Sequence, residues 1–260
     1  MSAEAFLIFQ MLVILYALTD SFLLLRKGHQ SIRLVLFGFA VSCTFLSDAY
    51  WLIYDFMYAD EPMPFAANEI AEWSMFLLLG ASLTTGLVRQ RISVWKELAG
   101  TLLFVAGNTA VWILASGEWV QDILTGITLG YLMCCIAIRM KYSGVYSHIY
   151  WLIYGAGCTI VIATQMVCTF APEPINEYAE YGCYAVLLTG AVLLLVRTVG
   201  SLMRDTKTDR GVCAAYSLFA WVLISLYLSS NFVVYVIFFA LTSVNILLTY
   251  CSLKKEVLRV

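Results

Sequence analysis

Carboxylates inside an apolar segment are the first chemical feature of this sequence. Asp48 lies in the run "AVSCTFLSDAYWLIYDFM", and Thr44, Asp48, Trp51 and Asp55 follow one another at spacings of 4, 3 and 4 residues. Residues three or four apart share one face of an α-helix. If this helix crosses a membrane over residues 34–58, Asp48 lies about 15 Å from its outer end. A lone carboxylate at that depth is costly unless it is protonated, paired or hydrated, so the face is predicted to turn inward and line a ligand site.

Two more carboxylates, Glu69 and Glu72, follow Asn68 at the predicted start of the next helix. Asparagine is a preferred N-cap and acidic residues favour the first helical turn, so ordinary helix-start chemistry accounts for all three. The functional alternative is an outer mouth that concentrates cations. Both glutamates are therefore included among the predicted ligand-binding residues.

Asn108 and Gln165 are the polar residues predicted to complete this site. Asn108, in the fourth span, maps to a depth similar to that of Asp48, and Gln165, in the sixth, is somewhat shallower. A polar pocket in the outer half of the membrane is the expected arrangement. Because no basic residue is predicted nearby, Asp48 is expected to be protonated or matched by a bound cation. The alternative is a neutral Asp48 that is hydrogen-bonded for packing.

Signatures of enzymes, metal centres and nucleic-acid binding are missing from the sequence. It contains no HExxH, no GxSxG and no phosphate-binding glycine loop. The eight cysteines have no CxxC spacing, which is typical of small buried side chains rather than of zinc ligation. A net charge of −2 without a basic stripe excludes nucleic acid as a partner. We predict no cofactor, assign no metal, and favour a non-enzymatic role.

The composition indicates that the lipid bilayer is the main partner of the chain. Hydrophobic residues make up 62% of it and charged residues 12%, against about half and a quarter in soluble domains. A bilayer core about 30 Å thick needs about 20 apolar helical residues. This predicts an all-α transmembrane bundle in a plasma-type membrane, with nine spans, or eight if the first is not inserted. The predicted spans are 5–25, 34–58, 69–88, 95–116, 119–138, 148–170, 177–198, 211–229 and 232–252.

The basic residues predict the orientation of these spans. All 15 Lys and Arg residues fall on, or within two residues of, the connections after spans one, three, five and seven and the tail after span nine. The positive-inside rule places such connections in the cytoplasm. The N-terminus is therefore predicted outside and the C-terminus inside, and the opposite side of the membrane is acidic.

An internal repeat is indicated by one motif. "NEIAEW" at 68–73 returns as "NEYAEY" at 176–181, and each copy follows a Pro-x-Pro pair. The separation corresponds to four spans, so the copies would share one orientation, as in a parallel repeat. The chain is thus predicted to be a single integral membrane domain, 1–260, with repeat units 1–116 and 117–229 and an extra helix at 232–252.

Gly126 and Gly130 form a Gly-x-x-x-Gly pair in span five. Such pairs let helix backbones approach closely, here either within the chain or across a homodimer. Cys168 and Cys183 both map near the outer face, where a disulfide between them is an alternative to free thiols.

The predicted role is to bind or transport a small solute or cation through a polar site open to the outer side. The alternative is a membrane-embedded sensor or assembly subunit that signals through a membrane or cytoplasmic partner protein. A transporter needs a site that is reachable from both sides, whereas a sensor needs only the outer pocket.

Overall fold

The computed structural model describes residues 3–29, 31–57, 67–85, 87, 94–116, 119–142, 158–204, 208–227 and 231–259. Over these residues the chain forms nine α-helices and no strand. The helices are α1 (Ala3–Arg26), α2 (Ile32–Met57), α3 (Ala67–Thr84), α4 (Trp95–Ser116), α5 (Trp119–Tyr142), α6 (Cys158–Phe170), α7 (Ile175–Met203), α8 (Thr208–Tyr227) and α9 (Phe232–Arg259).

Each predicted apolar segment overlaps one of these helices, and residues 148–157 of the sixth segment lie outside the described residues. In the described residues, α1, α2, α4, α5, α7 and α9 are long and apolar enough to cross a membrane. Helix α8 carries a shorter apolar stretch, Gly211–Leu226. The prediction of an all-helical bundle with several helices able to cross a membrane is therefore confirmed.

Helix α8 is the centre of the bundle. All its residues from Gly211 to Val222 are buried, as expected of a helix that is apolar on every side. It packs against α5, α7 and α9, and the remaining contacts join the other helices into a ring around it.

Close approach of α7 to α8 depends on one glycine. Trp221 of α8 is buried, and its indole Nε1 donates a hydrogen bond of 2.9 Å to the carbonyl oxygen of Leu187 on α7. A Cβ atom at Gly190 would lie 2.5 Å from two atoms of that indole ring. Only the absence of a side chain at Gly190 leaves room for the ring.

The Gly126 and Gly130 pair faces α4 of the same chain. A Cβ atom at Gly126 would overlap Thr109, and one at Gly130 would overlap Val105. The structure therefore shows that this glycine pair packs closely against another helix of the same chain. Cys168 and Cys183 are both free thiols, so they do not form a disulfide.

Ion pairs join the helices at the end of the bundle where α1 and α9 end and α2 begins. Asp20 accepts hydrogen bonds from the Tyr250 hydroxyl and from Lys254, both on α9. Arg33 of α2 pairs with Glu256 of α9. This end is the one that the basic residues predict to be cytoplasmic.

Gly190→Ala is expected to lower the free energy of unfolding by about 1–3 kcal/mol, the usual range for overpacking. The added methyl would displace an indole that its hydrogen bond to Leu187 holds in place. Gly182→Ala, on the same helix, is the control because nothing lies within 4 Å of its new Cβ. Thermal unfolding of the detergent-purified variants measures both. Equal midpoints for the two variants would contradict the close packing of α7 on α8.

Candidate ligand-binding cavity

A cavity of about 460 Å³ lies between α1, α2, α3, α5, α8 and α9. Its lining residues come from the beginnings of α1, α3, α5 and α9 and from the ends of α2 and α8. The cavity is therefore at the opposite end of the bundle from the Asp20 and Arg33 ion pairs. Its polar lining residues are Gln10, Thr44, Ser47, Asp48, Asn68, Glu69, Glu72, Gln121 and Thr242.

Five of the predicted site residues meet in this cavity: Thr44, Asp48, Trp51, Glu69 and Glu72. Asp48 is 6% exposed and Thr44 is similarly buried, whereas Trp51 is 40% exposed and lies at the rim. The helical spacing that joined Thr44, Asp48 and Trp51 in the sequence therefore corresponds to one cavity-facing side of α2. Asp55 is in α2, but its side chain lies outside the described part of the chain.

The Asp48 carboxylate is held by an amide from another helix. Nε2 of Gln10, on α1, donates to both carboxylate oxygens, at 2.9 Å to Oδ2 and 3.2 Å to Oδ1. The Ser243 hydroxyl on α9 donates to Oε1 of Gln10 at 3.2 Å. All three side chains are buried. This chain of hydrogen bonds, called the Asp48–Gln10–Ser243 triad below, joins α2, α1 and α9.

Gln10 and Ser243 were not predicted as site residues. The usable signal for Gln10 was weak: it is the only Asn or Gln in α1, surrounded by apolar residues. Amide and hydroxyl side chains in membrane helices form hydrogen bonds between helices, but the sequence does not say which helix supplies the partner.

Glu69, Glu72 and Asp48 lie at increasing depth in the cavity. Glu69 and Glu72 are in the first two turns of α3, whereas Asp48 lies nine residues before the end of α2, about 14 Å along the helix. The Ser47 hydroxyl donates to Oε1 of Glu72 at 3.4 Å. All three carboxylates line the same cavity.

The described lining residues include no Lys, Arg or His. Carboxylates that share a site repel one another, and a cation nearby favours their charged forms. The cavity can therefore gain electrostatic energy from a positively charged guest.

Asn68 does not cap α3. The helix begins one residue earlier, at Ala67, and Oδ1 of Asn68 has no hydrogen-bond partner in the described structure. An N-cap oxygen would accept from a backbone N–H of the first turn. The helix-start interpretation of Asn68 is thus wrong; its side chain is 5% exposed and lines the cavity.

Asn108 and Gln165 are not brought into the cavity, contrary to the expected pocket. Asn108 is buried on α4, which packs against α5 and α6, and its amide has no hydrogen-bond partner in the described residues. Gln165 is on α6 and is likewise not among the residues that line the cavity. The sequence predicted how deep both residues lie in the membrane. It did not predict which helices are neighbours in the bundle, and a shared depth does not determine that.

The second copy of the repeated motif has different surroundings. Glu177 is exposed, and Glu180 accepts a hydrogen bond from Tyr184 of the same helix. Neither residue lines the cavity that contains Glu69 and Glu72. The two copies of the motif therefore provide a matched pair of glutamates, one inside the cavity and one outside.

Comparisons with protein-family models, with curated proteins and with solved structures each find no match to this chain. Within the described residues, no group of three or more His, Cys, Asp and Glu side chains is placed to hold a metal ion. The all-helical membrane bundle and its acidic cavity therefore define the class of protein, and the function is argued from the cavity alone.

Replacing Gln10 by Met is expected to destabilise the protein by about 1–3 kcal/mol, because it leaves the buried Asp48 carboxylate without its amide donor. In an Asp48→Leu background the same replacement is expected to cost about 0.5–3 kcal/mol less, since no carboxylate remains to be satisfied. A double-mutant cycle on unfolding free energies measures this coupling. Additive effects of the two substitutions would contradict the triad.

Proposed function

We propose that this chain is a multi-pass protein of the plasma membrane that binds a small solute or cation in the cavity and moves it across the bilayer. The observation that carries the proposal is a cavity with three carboxylates and no basic side chain among its described lining residues. Ionisable groups inside a membrane bundle are costly and commonly mark a pathway for ions or substrates.

The proposed orientation has nine crossings, with the N-terminus and the cavity at the outer side. Support comes from the alternation of the helix ends: α1, α3, α5 and α9 begin at the cavity end, whereas α2 and α8 end there. The basic residues Arg33 and Lys254 lie at the other end. That distribution is the one expected of a cytoplasmic side.

We also propose the parallel duplication of four helices as the origin of the fold. It is supported by the packing of α3 on α2, which has a counterpart in the packing of α7 on α6. Each motif copy begins the second helix of such a pair. The different surroundings of Glu69 and Glu177 would then reflect divergence of the second copy.

Binding would proceed from the mouth inward. Glu69 and Glu72 attract the guest near the ends of the helices, and the deeper Asp48 contributes negative charge in a region of low dielectric constant, where charge interactions are stronger. Transport further requires the other end of the bundle to open. There the Asp20 and Arg33 ion pairs join α9 to α1 and α2, the three helices that the triad also connects. An inward-open state would have to separate these pairs.

The orientation predicts which engineered cysteines react from outside the cell. Glu173→Cys and Arg204→Cys change exposed positions on either side of α7. In a background with the exposed Cys251 replaced by Ser, an impermeant maleimide applied to intact cells is expected to label position 173 and not position 204. Labelling of position 204 alone would reverse the orientation and overturn the outer site.

Asp48→Asn is expected to abolish ligand-dependent stabilisation while leaving the fold intact, because it keeps the shape of the side chain and removes its charge. A ligand at about 100 times its dissociation constant stabilises the state that it binds by about 2.7 kcal/mol. Thermal midpoints of wild type and Asp48→Asn are compared across inorganic and organic cation chlorides at constant ionic strength. Glu177→Gln, which alters an exposed glutamate outside the cavity, should behave as wild type.

Midpoints of wild type that no cation changes would overturn the proposed binding site. Uptake of a stabilising cation into proteoliposomes then tests the transport step. Binding without uptake would favour the sensor alternative, which uses the outer cavity only.

A further inference from the structure

The geometry points to a primary organic ammonium, an R–NH₃⁺ group on an apolar body, as the guest of the cavity. This inference rests on the proposed function and names the chemical class of its ligand. It is carried by two independent observations: the carboxylates of α2 and α3, and the buried amide oxygen of Asn68, which has no hydrogen-bond partner in the described part of the chain.

The acceptors at the polar end of the cavity require a guest with N–H donors. A carboxylate and an amide carbonyl only accept hydrogen bonds, whereas an ammonium group offers three donors and no acceptor. Among the described residues, Oδ1 of Asn68 is buried without a donor, and Glu72 accepts a long hydrogen bond of 3.4 Å from Ser47. An ammonium nitrogen at this end would supply a donor to both groups and offset the negative charge.

Asp48 is assigned an electrostatic role at greater depth and is not the main hydrogen-bond acceptor for the ammonium group. Both of its oxygens already accept from Gln10. Asp48 nevertheless lines the same cavity as Glu72, so its charge contributes to the electrostatic field there. We therefore assign the direct hydrogen bonds to Glu72 and Asn68, and the deeper electrostatic attraction to Asp48.

The remaining walls suit an apolar body and not a bare metal ion. Trp51, Phe76, Tyr235 and Phe239 line the cavity. Aromatic faces attract cations and bury apolar groups. A volume of about 460 Å³ falls in the range of small-molecule sites, about 300–1,000 Å³. Calcium, by contrast, takes six to eight oxygen ligands at about 2.3–2.6 Å, and no such group is assembled among the described carboxylates.

The test uses 2-phenylethylammonium chloride on the full-length protein in detergent, with binding followed by isothermal titration and by thermal midpoint. Neutral 2-phenylethanol has the same apolar body without the charge, and sodium and calcium chlorides carry charge without the body. We expect saturable binding of the ammonium compound only. Because this comparison uses wild type, it does not depend on the folding of any variant.

Two variants then test the assigned contacts. Asn68→Leu is expected to raise the dissociation constant of 2-phenylethylammonium about tenfold, the effect of losing one hydrogen bond to a charged donor. Tyr235→Ala should weaken binding by a similar factor through loss of the aromatic wall. The control Glu177→Gln should bind as wild type. Unchanged affinity in Asn68→Leu and Tyr235→Ala would overturn the assignment.

The results also separate this inference from the proposed function. Saturable binding of sodium or calcium that Glu72→Gln removes, with no binding of 2-phenylethylammonium, would overturn the ammonium guest and keep a cation site. Equal binding of 2-phenylethanol would show that the cavity does not recognise the positive charge, and would likewise overturn the inference. Absence of binding by every cation tested would overturn both.

Discussion

A buried carboxylate that must be satisfied inside a membrane bundle is the constraint on which the cavity depends. Asp48 lies deep on α2 and has no basic partner among the described lining residues, so the amide of Gln10 supplies its hydrogen bonds. Gln10 is in turn held by Ser243, which connects the carboxylate to α9. Hydrogen-bonded networks of this kind tend to specify one arrangement of the surrounding elements. The hydrogen bonds that satisfy the Asp48 carboxylate thus help to fix the positions of α1, α2 and α9 around the cavity.

Elsewhere the bundle has an apolar core, which single hydrogen bonds such as that from Trp221 to Leu187 supplement. Helix α8 is enclosed by apolar neighbours, and small residues such as Gly190 and Gly126 admit side chains from adjacent helices. Between membrane helices, where lipid is as apolar as the side chains, association depends on such close packing and on interhelical hydrogen bonds. The two ends of the bundle then differ chemically. One end contains compensated pairs such as Arg33 and Glu256, and the other has an excess of negative charge around an open volume.

This difference in charge between the two ends of the bundle is the physical basis of the proposed transport role. The described lining of the cavity contains three carboxylates and no Lys, Arg or His, which favours a cationic guest. Charge at the other end is compensated by ion pairs between the same helices, which favours closure there. In alternating access, the cavity end would close when the ion pairs at the other end separate. The triad lies between the two ends and is the contact that α1, α2 and α9 share.

The sequence by itself determined the helical membrane class, the positions of the helices along the chain and the shared face of Thr44, Asp48 and Trp51. These follow from apolar length and from the helical period, which are local properties of the chain. Tertiary structure alone decided that Gln10 and Ser243 satisfy Asp48 and that Asn68 lines the cavity instead of capping α3. It also excluded Asn108 and Gln165, although their predicted depth was suitable. The physical reason is that helix order around the bundle depends on which faces pack together, and contacts such as Gly126 against Thr109 are properties of two helices and not of either one.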